Sequence, residues 1–237
     1  VIITPNTEEL LLAAAHNNAA WCAAVSRDGG FSAEAWSSPR PTPPYYPDAV
    51  TLTRDTDAAA LVAGIDTASQ RASVKDSFAS LDLAPAGFEV LFGAEWIHRP
   101  AGAPGAAPAL EWSRVAGPAE LEAWESAWDG EESTGLFHPE LLTGHSGDIA
   151  FLAGRDTEGR IVAGAAANRT GELVGVSNVF CAEGTPDDEA WAGALTLIAS
   201  LWPGLAVVGY ESGDDLDTAL RHGFAAIGPL RVWLQAG

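Results

Sequence analysis

Apolar and polar positions along the chain alternate between two periods, and the switches mark the elements. Leu10, Leu11, Ala14, Trp21 and Val25 recur near helical spacing, and Thr7, Glu8 and Glu9 supply a polar start, so the pattern predicts a helix over Thr7 to Val25. Five prolines between Pro39 and Pro47 exclude a regular helix or central strand there. Ala49 to Arg54 alternates as a strand, and a short helix through Val62 follows a cap at Thr56 or Asp57. Val74, Phe78 and Leu81 fall on one side of a helix predicted over Ser73 to Leu83. Phe88 to His98 then reads as a strand.

Pro100 to Ala109, PAGAPGAAPA, has no large apolar side chain and reads as a linker. Three segments are expected: an N-terminal unit at 1–100, a linker at 101–109 and a second domain at 110–237. In that domain a strand is predicted at Leu110 to Val115, a helix from Pro118 to Trp128 and a short helix from Phe137 to Leu142. A hairpin of Asp148 to Arg155 with Ile161 to Asn168 follows, then a strand at Glu172 to Phe180. A helix runs from Thr185-Pro186 to Leu201 or Trp202. Leu205 to Gly209 is a short continuous apolar run, as a strand buried on both faces requires. A helix from about Asp215 to His222 stops at Gly223, a residue suited to a left-handed cap, and Phe224 to Leu234 closes the chain as a strand.

This order over Leu110 to Leu234, with its terminal strand, helix, Gly223-Phe224 and strand, resembles the GNAT superfamily of N-acetyltransferases. The resemblance covers a little over half the chain. It implies an α/β (α+β) fold with a mixed sheet flanked by helices. Asp82 to Arg99 and Leu220 to Gln235 share Gly-Phe, an internal strand glycine and a late tryptophan. The first region therefore reads as a partial copy of the same fold, with Ala49 to Arg54 as its preceding strand.

The resemblance also implies chemistry: transfer of an acetyl or acyl group from acyl-CoA to an amine, with acetyl-CoA lying where the strand before the long helix parts from its neighbour. Val179, Phe180, Cys181, Gly184 and Gly193 are the positions that match a cofactor site. The family's loop there carries an arginine or glutamine, whereas this chain has Glu183, Asp187, Asp188 and Glu189. Weak binding of acetyl-CoA is the expectation, since carboxylates oppose a diphosphate. The family's acidic tyrosine matches Ala219, so Tyr210 and Glu211 are the nearest replacements, and Ser177 and Asn178 are the polar positions able to face a thioester. A fold does not fix an activity. The alternative is a catalytically inactive module of the same fold that serves as a binding or structural partner.

Composition narrows the partners. A formal net charge of -20, with Lys75 the only lysine, disfavours nucleic acid and anionic membranes and suits a cationic or small-molecule amine acceptor. Asp129, Glu131 and Glu132 are candidates for holding one. No apolar run approaches the roughly 18 residues of a membrane span. Cys22 and Cys181 cannot build a disulfide framework, so a soluble, cytoplasmic protein is expected. His138, His145 and Asp148 lie close in sequence, but no third strong ligand stands at metal spacing, and no metal is expected.

Overall fold

The computed structural model describes residues 6–69, 71–103, 105–143 and 147–236. In chain order the elements are α1 (Thr7–Ser26), β1 (Gly30–Phe31), β2 (Ala35–Ser37), β3 (Ala49–Thr51), α2 (Ala58–Ala63), β4 (Ser73–Asp76) and β5 (Phe88–Arg99). Then follow β6 (Glu111–Arg114), α3 (Pro118–Asp129), α4 (Glu140–Thr143), β7 (Ile149–Arg155), β8 (Ile161–Thr170), β9 (Leu173–Cys181), α5 (Asp187–Leu201), β10 (Ala206–Glu211), α6 (Gly213–Arg221) and β11 (Ala225–Gln235). The chain divides into two compact units, 1–96 with 226–237, and 97–225. The last strand thus groups with the N-terminal unit.

In the first unit the strand order is β1-β2-β3-β4-β11-β5. Strands β3 and β4 are parallel and joined through α2, and β11 runs antiparallel to β4. Asn6 opens α1 with a reciprocal capping box: its side chain accepts from Glu9 N–H, and the Glu9 carboxylate accepts from Asn6 N–H.

Ser73 to Leu83, where helical spacing predicts a helix, is a strand and a turn. Ser73–Asp76 is enclosed between two strands, and Lys75 and Asp76 are both buried. The Asp76 carboxylate accepts from the N–H groups of Phe78, Ser80 and Leu81, which folds the chain back at once. The strand leading to the first Gly-Phe is therefore β4, not the Ala49 strand. Each Gly-Phe pair is built alike: Gly87 and Gly223 take φ of 83° and 86°, and Phe88 and Phe224 are buried.

In the second unit the end of β5 is followed by β10, β9, β8, β7 and β6. Neighbours from β6 to β9 are antiparallel, and β9 and β10 are parallel. Helix α5 covers one face, burying Trp191, Ala194, Leu195 and Ile198 against Val174, Val176 and Val207. Full burial of a side chain the size of Val174, Leu195 or Ile198 contributes about 1.5–3 kcal/mol. On the other face, Trp124 of α3 meets Phe137, Phe151 and Phe180 edge-on, and its indole N–H donates to Leu152 O at 2.8 Å.

Gly193 belongs to this packing. A Cβ on it would stand 1.8 Å from Cε2 of Trp112, so the indole lies directly on the helix backbone. Gly193→Ala is expected to destabilise the protein by roughly 1–3 kcal/mol, as overpacking does. Urea unfolding measures it, and an unchanged midpoint would contradict this packing.

Candidate functional site

Strands β9 and β10 pair for three residues only: Ala206 with Leu173, Val207 with Val174 and Val208 with Gly175. Both continue, β9 to Cys181 and β10 to Glu211, without pairing further with each other. The cause lies on β9. Between Gly164 and Ala166 of β8 the register advances two residues, while β9 advances three, from Phe180 to Ser177. The extra residue makes a bulge, and Asn178 there takes a left-handed φ of 51°. At the parting point a Cβ on Gly209 would stand 2.9 Å from Val176 O, so the strands touch there only because position 209 is glycine.

A cavity of about 210 Å³ fills the opening, lined by Val179, Phe180, Cys181, Asp187, Ala190, Trp191, Glu211 and Asp215. Ala190 and Trp191 are buried, Val179, Phe180, Cys181 and Glu211 are half-buried, and Asp187 and Asp215 stand exposed at the mouth. Four of the sequence-derived candidates meet here: Val179, Phe180, Cys181 and Glu211. Tyr210 is half-buried and not among the lining residues, and its neighbour Glu211 takes the face that points inward. Ser177 Oγ is buried and has no hydrogen-bond partner. Gly184, at φ 87°, borders open space, whereas Gly193 is covered by Trp112. Ala219, the position matching the family's tyrosine, is fully buried in the core and can supply no proton.

Burial pushes the Glu211 carboxyl up to about 8, and Asp215 adds to the shift. Burial likewise pushes the Cys181 thiol up to about 12, reinforced by Asp187, whose carboxylate accepts from the thiol at 3.0 Å. Cys181 is therefore a protonated thiol near neutral pH and not a nucleophile. The other acidic side chains at the start of α5 turn elsewhere. Glu189 accepts from the N–H groups of Ala109 and Leu110, and Asp188 pairs with His222 Nε2 at 2.9 Å and with Arg221. Each of these carboxylates thus has its own partner, and among them Asp187 lines the cavity.

The wall at Phe180 is supported from behind by Glu125 of α3. Its buried carboxylate accepts from the N–H groups of Thr134, Gly135, Leu136 and Phe137. Phe137 then packs on Trp124, and Trp124 on Phe180. Sequence reading missed Glu125, and its signal was only an acidic residue inside the apolar face of a helix. A shallow hollow beside this loop holds Glu122 and Glu132 at the surface. His138 Nδ1 faces Glu140, and Asp148 is paired with Arg169, while His145 lies outside the described residues. Among the described residues no group of three His, Cys, Asp or Glu side chains is placed to hold a metal, and no helix is long and apolar enough to cross a membrane.

Comparison with solved structures places the architecture. A GCN5-related N-acetyltransferase from Kribbella flavida superposes with a TM-score of 0.62 at 16% identity, over 95% of this chain and 96% of that one. A GNAT-family protein from Novosphingobium aromaticivorans gives 0.59 at 15% identity, over 94% and 99%. This chain has the GNAT fold. A third GNAT structure, from Sphaerobacter thermophilus, gives 0.53 at 14% identity over 74% of this chain and 63% of that one. No protein-family model and no curated protein sequence matches the chain. At these identities the likeness is one of GNAT architecture, and the chemistry must be argued from the cavity itself.

Glu125 gives a pH-dependent test of the wall. Burial alone would raise its pKa, but the donors from Phe137, Leu136 and Thr134, with Ser133, outweigh it and hold the carboxyl below its ordinary value. Because the folded value is depressed, the stabilisation is present above the unfolded value of about 4.3 and fades as pH falls through the folded one. Glu125→Ala is expected to cost about 3 kcal/mol at pH 7, by leaving several buried N–H groups unpaired, and clearly less at pH 3. Equal losses at both pH values would contradict an ionised Glu125.

Proposed function

We propose that the protein is an acyltransferase of GNAT type that moves an acyl group from a thioester to an amine. The observation that carries this reading is Glu211, a proton-exchanging carboxyl set on the parted edge of β10 inside the cavity. In such a transfer the amine nitrogen bonds to the acyl carbon and the carbon–sulfur bond breaks. The amine's proton goes to the Glu211 carboxylate, and the departing thiolate is protonated in turn. A carboxyl titrating near 8 is present in both forms close to neutral pH, as a group that takes and returns a proton must be. Val179, Phe180 and Trp191 form the apolar wall that keeps Glu211 in this state and excludes water from the thioester. The exposed Asp187 and Asp215 favour a cationic amine at the mouth, in keeping with a net charge of -20.

Acetyl-CoA is the donor that the fold suggests, and the two ends of such a molecule meet different surroundings here. The facing edges of β9 and β10, which do not pair with each other beyond Gly175 and Val208, suit an acyl thioester. The start of α5 does not suit a diphosphate: Asp187 lines the cavity beside it, and the eight lining residues include no Arg, Lys or His. The free thiols of Cys22 and Cys181 fit a reducing compartment such as the cytoplasm.

Thiol release from acyl thioesters, measured against a panel of primary amines, tests this reading. The rate is expected to rise with pH through about 8, as Glu211 loses its proton. Glu211→Gln is expected to lower kcat by roughly 10²–10⁴, and Asp215→Asn to move the pH limb downward by removing a like charge. No transfer to any amine, or a Glu211→Gln protein as active as the parent, would sink the proposal and favour a catalytically silent module.

A further inference from the structure

The approach to the cavity separates the two ends of a nucleotide-bearing thioester more sharply than net charge alone. We infer that this protein takes its acyl donor through the thioester and a pantetheine-like arm, and that the first turn of α5 rejects the diphosphate of a nucleotide carrier. The inference rests on the acyl-transfer reading and specifies its donor class.

Three observations converge on it. The first concerns donors. Of the six positions 184–189, Pro186 has no N–H, Thr185 N–H donates to Ala182 O, and Glu189 N–H donates to Pro186 O. Half of the groups that would form an anion cradle are therefore missing or spent.

The second concerns charge. Asp187 lines the cavity where the helix begins, and the Cys181 thiol holds its carboxylate there at 3.0 Å. A thiol donor leaves the negative charge in place. Arg221 and the His222 ring, which reach the first turn of α5, face Asp188 instead. Asp215 adds a second carboxylate to the lining.

The third concerns size. The cavity measures about 210 Å³. Pockets that enclose drug-sized ligands run to roughly 300–1,000 Å³. The space suits the end of a narrow arm rather than a whole nucleotide thioester.

Calorimetric titration at low and moderate salt with acetyl-pantetheine, acetyl-CoA and adenosine 3′,5′-bisphosphate tests the inference. Acetyl-pantetheine should bind at least as tightly as acetyl-CoA, and the bisphosphate should give no saturable binding. Asp187→Arg should raise the affinity for acetyl-CoA relative to acetyl-pantetheine at least tenfold. Asp187→Asn should raise it in the same direction by less, and it serves as the second variant should the arginine disturb folding. Acetyl-CoA binding tenfold tighter than acetyl-pantetheine in the unmodified protein would overturn the inference and leave the acyl-transfer reading standing. Acetyl-pantetheine binding without transfer to any amine would overturn the acyl-transfer reading and the donor role with it, leaving only the rejection of the diphosphate. If none of the three probes binds, both are overturned.

Discussion

Two parallel strands that cannot stay together set the terms for the second unit. The bulge at Asn178 puts one residue too many on β9, so its backbone leaves β10 after Gly175. Gly209 lets the strands come close up to that point, and nothing pairs them beyond it. An unpaired strand edge inside a domain leaves polar backbone groups to be satisfied by water or a ligand. The left-handed Asn178 is the local cost of making that opening. Glu211 takes its character from the same event, because the parting leaves its carboxyl half-buried among Val179, Phe180 and Trp191 rather than in bulk water.

The two faces of the sheet serve the opening differently. On the α5 face, small residues allow close packing: Gly193 admits Trp112, and Ala194 meets the strands directly. That packing fixes where α5 starts, and so where Asp187 stands. On the α3 face, aromatic rings pass the position of the Glu125-bound loop through Trp124 to Phe180. Both routes end on residues of the cavity lining. A core substitution at Gly193 and a polar one at Glu125 therefore both bear on the site, through packing in one case and hydrogen bonding in the other.

Much of this was legible in the sequence, and the exceptions have physical reasons. The helix ending at Gly223 and the apolar strand before it stand out because their signals are local: a left-handed cap and an uninterrupted apolar run. The strand at Ser73–Asp76 was hidden because Val74, Phe78 and Leu81 happen to follow helical spacing, while Lys75 and Asp76 look like surface residues but are buried. The short strands β1 and β2 gave no signal, since two- and three-residue strands carry no periodicity. At the site, Glu211 could be named from its place at a strand end. Its raised pKa depends on long-range burial, which spacing does not encode. The acidic run at 187–189 read as one repulsive block, whereas the fold sends each carboxylate to a different partner.

The central claim is that the gap between β9 and β10 is where an acyl thioester lies. A crystal structure of the protein with a non-reactive thioether analogue of acetyl-pantetheine tests it most directly. The account predicts the acyl end between Val179 and β10, with Glu211 facing the acyl carbon and the arm leaving past Asp187. An analogue bound outside this gap, or a gap closed by continued pairing of β9 with β10, would contradict it.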